Sequence, residues 1–85
     1  GFNTNSLQYL TNLNKARWLI KAKKIHEADL LICQSIEKAI IWGHNHILVH
    51  LYNFACKYKL NNGEINSALN YSLKALSYAQ QLYNT

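Results

Sequence analysis

The sequence predicts an all-α fold, and three features of its composition support that prediction. The chain of 85 residues contains no proline and only three glycines, whereas β-sandwiches and β-barrels need frequent turns. Apolar residues make up 49% and charged residues only 15%, which excludes an intrinsically disordered chain. A chain of this length forms one domain and buries roughly 60–65% of the surface that its unfolded form exposes. We therefore expect one small domain built almost wholly from helices.

The first two helices are predicted from apolar residues that recur every three to five positions. The first is expected to begin after Ser6, a candidate N-cap, and to end near residues 23–25. The second is expected from His26 to about Trp42, before the stop signal of Gly43. The predicted apolar face of the first helix consists of Leu7, Leu10, Leu13, Trp18, Leu19 and Ala22. That of the second helix consists of Ala28, Leu31, Ile32, Ser35, Ile36, Ala39 and Ile40.

The third and fourth helices are separated by the clearest turn signal in the chain, Asn61–Gly63, because asparagine and glycine tolerate positive φ. The third helix is expected from about His46 to Leu60, and the fourth from Glu64 to about Tyr83. The predicted apolar face of the third helix consists of Ile47, Leu51, Phe54, Ala55 and Tyr58. In the fourth helix apolar residues surround more than one face, so this helix is expected to need neighbours on two sides.

The two halves of the chain repeat each other. Ala28 lies forty positions before Ala68, and the pair Ser35-Ile36 lies forty positions before the pair Ala75-Leu76. A self-similar helix–turn–helix unit at such a period is the sequence signature of an α-solenoid. Trp18 and Trp42 are expected to pack in the core and between the repeats.

With this repeat the chain resembles the tetratricopeptide-repeat family, most clearly in its second half. The resemblance is carried by bulky, small, turn-forming and aromatic residues at the positions of the family's motif: Tyr52, Ala55, Cys56, Gly63, Ala68, Tyr71, Ala75 and Leu76. The first half departs from the motif at Asn12, where the family has a large aromatic residue. The resemblance implies two antiparallel helical hairpins in a right-handed α-solenoid fragment, with repeat 1 at about 6–43 and repeat 2 at about 45–84. Because solenoids usually have about three repeats or more, we expect the chain to be a piece of a larger protein.

The stretch from Asn45 to Asn84 is similar to the long-helix repeats of peptide-pheromone receptors of Gram-positive bacteria. It combines the helical segment Leu51–Ala55, the turn Asn61–Gly63 and a tyrosine-rich final helix. This resemblance implies a cytoplasmic, non-enzymatic regulator that senses a peptide. The DNA-binding helix-turn-helix of that subgroup has no counterpart in these 85 residues.

A candidate binding surface follows from the same resemblance, because the first helix of each tetratricopeptide pair lines a concave face along which a peptide lies. Carried over by position, the implied lining residues are Leu10, Leu13, Asn14, Arg17 and Lys21, with His50, Asn53, Phe54, Lys57 and Asn61. Helical spacing predicts part of this surface independently, since polar residues three or four positions apart share one side of a helix. Such stripes are Asn14, Arg17 and Lys21 on the first helix and His46, His50, Asn53, Lys57 and Asn61 on the third. Asparagine can bond a peptide backbone and arginine or lysine a carboxylate, so the expected ligand is an extended peptide with an acidic residue or a free C-terminus.

The net charge of +5 and the pI near 9.4 favour an acidic partner, either a peptide or a protein. Three alternatives for this surface stay open. The first is that the polar stripes are ordinary solvated helix faces. The chain is alternatively a self-association module that forms a homodimer by stacking its exposed terminal helices. A third alternative is a small basic nucleic-acid-binding domain, although no recognition motif is present.

No catalytic, cofactor or metal site is predicted. The acidic residues form no evident carboxylate pair, no glycine-rich phosphate loop occurs, and His46 and His50 lack further zinc ligands. Cys33 and Cys56 follow no CxxC spacing and are predicted to be buried thiols in a reducing compartment. No apolar run approaches the roughly 18–20 residues of a membrane span, so a membrane partner is not expected.

Overall fold

The computed structural model describes residues 4–83, which form four helices joined by short turns. The helices are α1 (Thr4–Lys21), α2 (Ile25–Trp42), α3 (Asn45–Asn61) and α4 (Ile65–Tyr83). The predicted all-α class is confirmed, and the predicted helices correspond to the observed ones in number and order. Ser6 was predicted as an N-cap, but α1 begins at Thr4, so Ser6 lies within the first turn instead. Asn84, the predicted end of the second repeat, lies outside the described residues.

The three turns between the helices have the same backbone arrangement. Lys23, Gly43 and Gly63 each adopt a positive φ, of 62°, 71° and 82°. In each turn the N–H of this residue bonds to the carbonyl three residues back, and the next N–H bonds to the carbonyl five residues back, at 2.8–3.2 Å. These two hydrogen bonds satisfy carbonyls that the helix end would otherwise leave without a partner.

The helices pair as two hairpins. α1 packs against α2 and α3 against α4, and the two hairpins meet mainly through α2 and α3. α1 also contacts α3, so the first helices of the two hairpins lie side by side. Among the described helices, the backbone of α4 approaches only that of α3, while its Tyr71 also shares a side-chain hydrogen bond with Cys33 of α2. The resulting body is flat, with principal extents of 38 × 28 × 16 Å.

The core lies where α2 and α3 meet, and their predicted apolar faces are largely confirmed. α2 buries Ala28, Ile32, Ser35, Ile36 and Ala39, and α3 buries Ile47, Leu48, Leu51, Tyr52, Ala55 and Tyr58. Two members of the predicted α2 face lie further out, since Leu31 is half-buried and Ile40 is exposed. The small side chains of Ala28 and Ala68 are buried at matching positions of α2 and α4, where they allow the paired helices to approach closely.

The predicted apolar face of α1 is wrong in part. The buried residues of α1 are Tyr9, Leu13 and Ala16, whereas Leu7, Leu10, Trp18 and Ala22 are exposed. Tyr9, Leu13 and Ala16 follow the spacing i, i+4, i+7 and so form one narrow side of an edge helix. The prediction that the tryptophans pack in the core is also wrong, because Trp18 is 77% exposed and Trp42 is 60% exposed.

Asn12 lies at the contact between α1 and α2. Its Nδ2 donates a hydrogen bond to the Oγ of the fully buried Ser35 at 3.2 Å, and that hydroxyl donates to the Leu31 carbonyl at 3.0 Å. The buried Ser35 hydroxyl is therefore hydrogen-bonded both as a donor and as an acceptor. No helix of the described residues is both long and apolar enough to span a bilayer.

Candidate functional site

A groove of about 630 Å³ runs along the neighbouring faces of α1 and α3. It is lined from α1 by Leu10, Leu13, Arg17, Ile20 and Lys21, and from α3 by His50, Asn53, Phe54, Lys57, Tyr58 and Asn61. Every residue that the resemblance predicted to line a concave face is among them except Asn14, and His46 of the predicted α3 stripe is not among them either. The remaining two lining residues, Ile20 and Tyr58, were not predicted.

The hairpin architecture explains why these residues meet. Each short turn folds the second helix of a hairpin back on the first, so α2 occupies one side of both α1 and α3. The other sides of α1 and α3 then lie next to each other and carry their polar stripes. Helical spacing aligns the residues of each stripe, and the packing of the hairpins brings the two stripes together.

The floor of the groove is apolar and its edge is polar. Leu13 and Tyr58 are buried, and Phe54 is half-buried with its ring centroid 5.9 Å from that of Tyr58. The exposed polar side chains around this floor are Arg17, Lys21, His50, Asn53, Lys57 and Asn61. An apolar floor with a small number of polar groups at its edge is typical of ligand-binding sites.

Arg17 is held in place by two contacts. Its guanidinium carbon lies 5.6 Å from the Phe54 ring centroid, within the range of a cation–π interaction. Its Nη1 donates a hydrogen bond to the Asn14 Oδ1 at 3.2 Å. Asn14, which was predicted to line the groove, therefore positions Arg17 from outside it.

The charge of the groove has one sign. Arg17, Lys21 and Lys57 contribute three cationic side chains, and none of the described residues that line the groove carries a carboxyl group. Because these cations lie at exposed positions around a partly apolar surface, they create a positive potential that attracts an acidic ligand.

Two carboxylates near the floor are engaged elsewhere. Tyr58 donates a hydrogen bond from its hydroxyl to Asp29 on α2. The Nζ of Lys59 lies 3.3 Å from an Asp29 oxygen and 3.2 Å from a Glu64 oxygen. Asp29 and Lys59 are thirty positions apart, so no local pattern predicts that Asp29 and Glu64 share one ammonium group.

The network of Asp29, Tyr58, Lys59 and Glu64 also shifts the pKa values of Tyr58 and Lys59. Burial and the hydrogen bond to Asp29 raise the pKa of Tyr58 well above its usual range, so the phenol stays protonated. Burial acts to lower the pKa of Lys59, but hydrogen bonds to Glu64 and Asp29 outweigh it and the pKa is raised. Lys59 and Tyr58 therefore hold Asp29 and Glu64 in a fixed network that links α2, α3 and the turn before α4.

The cysteines are free and half-buried, so the prediction of buried thiols is only partly correct. Burial, followed by the charge of Asp29, raises the pKa of Cys33. A thiol with a raised pKa carries little thiolate at neutral pH and is a poor nucleophile. Among the described residues, no group of three or more histidine, cysteine, aspartate or glutamate side chains is arranged to hold a metal ion.

Comparisons of the chain with protein-family models, curated proteins and solved structures found no match. The resemblance to tetratricopeptide repeats therefore stays a prediction that rests on the motif residues of the second hairpin.

Proposed function

We propose that this chain is a non-enzymatic binding module of the tetratricopeptide-repeat type, and that an acidic, extended peptide or protein segment lies along the groove between α1 and α3. The observation that carries this proposal is the composition of the groove. An apolar floor is bordered by three cations, while the lining residues include no acid to neutralise them. A carboxylate on the ligand would pair with arginine or lysine through charge-assisted hydrogen bonds.

The dimensions of the groove suit a short extended segment. From Leu10 to Lys21 the α1 side rises about 16 Å, at 1.5 Å per residue, which is the length of about five residues of extended chain. Asn53 and Asn61 lie on the α3 side about 12 Å apart by the same rise. Their amides each offer a donor and an acceptor to the backbone of such a segment.

Within this proposal, the chain is a part of a cytoplasmic regulator that senses a peptide. That finer role is supported by the likeness of residues 45–84 to the repeats of peptide-pheromone receptors. The residues that line the groove support the proposed charge of the ligand, whereas the regulatory role rests on that likeness alone.

The proposal is tested by fluorescence anisotropy with two pools of short labelled peptides of equal length and free C-termini. One pool carries aspartate or glutamate at alternate positions, and the other carries lysine or arginine there. We expect the acidic pool to bind and its affinity to fall with added salt, since the groove cations are exposed to solvent. Equal binding of both pools would contradict the proposed charge preference.

Substitutions locate the binding surface. Arg17→Ala and Asn53→Ala are each expected to weaken binding of the acidic pool, the first by about tenfold or more because it removes a charge-assisted contact. Lys38→Ala and Asn70→Ala are matched controls, because both residues are exposed and neither lines the groove. Unchanged affinity in the Arg17 variant would refute the assignment. Salt-sensitive binding of duplex DNA that is lost in the same variant would favour the nucleic-acid alternative instead.

A further inference from the structure

The outer side of α4 carries a continuous row of exposed apolar side chains, which we name the α4 stripe. Its members are Ile65, Leu69, Leu73, Leu76 and Tyr83, and they are between 54% and 87% exposed. From Leu69 onward the row advances by alternating steps of four and three residues, with Gln80 at the one polar position. Alternating steps of three and four are the spacing by which two helices pack along each other.

The α4 stripe is separate from the face that α4 turns toward α3. On that inner face Ala68 and Ala75 are buried, and the rings of Tyr71 and Tyr78 lie 5.9 and 5.8 Å from the ring of Tyr52. At 100° per residue the two faces are about 130° apart around the helix axis. From the sequence, α4 is expected to need neighbours on two sides. The α4 stripe is the second of these sides, and no described residue covers it.

We propose that the α4 stripe binds the α4 stripe of a second copy of this chain. A symmetric dimer places the same patch of both copies in contact, so the patch must be compatible with itself. In a chain of net charge +5, most surfaces would repel their own copy. The α4 stripe contains no charged residue. Lys74, the one charged residue of α4, has its Nζ 5.8 Å from the Tyr52 ring and so points toward α3.

The remaining charges are favourably placed for this contact. Five of the nine basic residues lie between Lys15 and Lys24, on α1 and the turn after it. The described residues of α1 make no contact with α4, so the basic regions of two copies joined through α4 stay apart.

The stripe is compatible with an antiparallel arrangement of the two α4 helices. About a two-fold axis beside the middle of α4, Leu73 lies opposite Leu76 of the second copy, and Leu69 lies opposite Gln80 of the second copy. In this register Tyr83 lies opposite Asn66 of the second copy and Ile65 lies at the edge of the contact, so Leu69, Leu73 and Leu76 form its centre. Antiparallel helices also bring opposite ends of their dipoles together.

The area of the stripe is sufficient for a reversible dimer. Five side chains that each cover about 100 Å² bury about 1,000 Å² in total when two copies meet, which is the size of weak, transient interfaces. We therefore expect a dissociation constant in the micromolar range rather than a permanent dimer.

Sedimentation of the chain from micromolar to near-millimolar concentration tests the proposal. We expect a monomer–dimer equilibrium, and at least about a hundredfold higher dissociation constant for Leu73→Glu because it buries an unpaired charge. Leu30→Glu is the matched control, because Leu30 on α2 is 53% exposed and Leu73 is 56% exposed. Circular dichroism verifies that both variants keep their helices.

A mixture of two variants tests the orientation of the helices. Leu73→Glu and Leu76→Lys are each expected to be monomers, and an equimolar mixture is expected to form a dimer with a glutamate–lysine pair at its centre. A monomer at all concentrations, or equal effects of Leu73→Glu and Leu30→Glu, would overturn the proposal. Failure of the mixture to associate would overturn the antiparallel arrangement. Arg17→Ala, which changes the groove alone, is expected to leave the dimer unaffected.

Discussion

The two hairpins have the same helix order and the same turn, but different residues hold their helices together. In the second hairpin Tyr52 is buried and its ring lies 5.9 Å from Tyr71 and 5.8 Å from Tyr78. Forty positions earlier, the first hairpin has Asn12, which bonds to Ser35 at 3.2 Å. Aromatic packing removes far more apolar surface from water than one polar pair does. At this pair of equivalent positions the second hairpin is therefore the more strongly stabilised.

The turns within the two hairpins have the same conformation but differ in the residue that adopts the positive φ. Gly63 adopts a φ of 82° in the second hairpin, and Lys23 adopts a φ of 62° at the equivalent place in the first. A left-handed backbone costs a residue with a side chain about 1–2 kcal/mol, whereas glycine adopts it readily. The first hairpin therefore has both the weaker contact and the more strained turn.

The largest expected difference between the hairpins concerns their equivalent residues Tyr52 and Asn12. Tyr52→Ala should lower the free energy of unfolding by about 3–5 kcal/mol, because it leaves a cavity beside Tyr71 and Tyr78. Asn12→Ala should cost about 1 kcal/mol, since Ser35 keeps its hydrogen bond to the Leu31 carbonyl. Urea unfolding followed by circular dichroism measures both. Equal losses would show that the hairpins are not differently stabilised.

The raised pKa of Tyr58, on α3, predicts that the domain loses stability at alkaline pH. Because the pKa of Tyr58 is raised, its contribution to the free energy of unfolding is complete at pH values below the ordinary tyrosine pKa of 10.0. Above that pH the unfolded chain loses the phenolic proton while the folded chain keeps it, so stability falls by up to about 1.4 kcal/mol per pH unit. Unfolding measurements on either side of this pH are expected to show the fall.

Tyr58→Phe is the control for that pH dependence. It should lower the free energy of unfolding by about 1–2 kcal/mol at neutral pH, because the hydrogen bond to Asp29 is lost while Lys59 still pairs with that carboxylate. It should also lose less stability than the unmodified chain as the pH rises. Identical alkaline slopes in both proteins would refute the role assigned to Tyr58.

The smallest expected effects are at the turns, and they have opposite signs. Lys23→Gly should raise the free energy of unfolding by about 1 kcal/mol, because it relieves a left-handed lysine. Gly63→Ala should lower it by a similar amount through the backbone alone, since an added Cβ would meet nothing within 4 Å. Thermal unfolding of the two variants measures both changes in stability. Shifts of the same sign would contradict this description of the turns.

Much of the fold was predictable because its signals are local. Gly43 and the segment Asn61–Gly63 end α2 and α3 as expected, since residues that tolerate positive φ are recognisable in the sequence. Lys23 has the same conformation without any such signal, so that turn was located only from the interrupted apolar pattern.

The apolar face of α1 was harder to predict. Leucine and tryptophan occur all around this helix, and an edge helix needs to bury only one narrow side. Hydrophobicity alone therefore favoured Trp18, whereas packing buries Tyr9 and Ala16. Which side of α1 meets α2 depends on the fit between the two helices, and no periodicity within α1 contains that information.

The lining residues of the groove were likewise predictable only where the signal lies within one helix. Spacing within α3 predicted that His50, Asn53 and Lys57 share one side, and the groove contains all three. Ile20 and Tyr58 were missed because they belong to the floor, where residues of two helices meet. The network around Lys59 was missed because it joins residues from three parts of the chain.

Binding of an acidic peptide in the groove between α1 and α3 is tested by mapping amide chemical shifts during a titration with the acidic peptide pool. We predict that the perturbed amides cluster at residues 10–21 and 50–61 and that salt reduces the perturbation. Perturbations confined to α4 or to the outer side of α2, or none up to near-millimolar peptide, would contradict the claim.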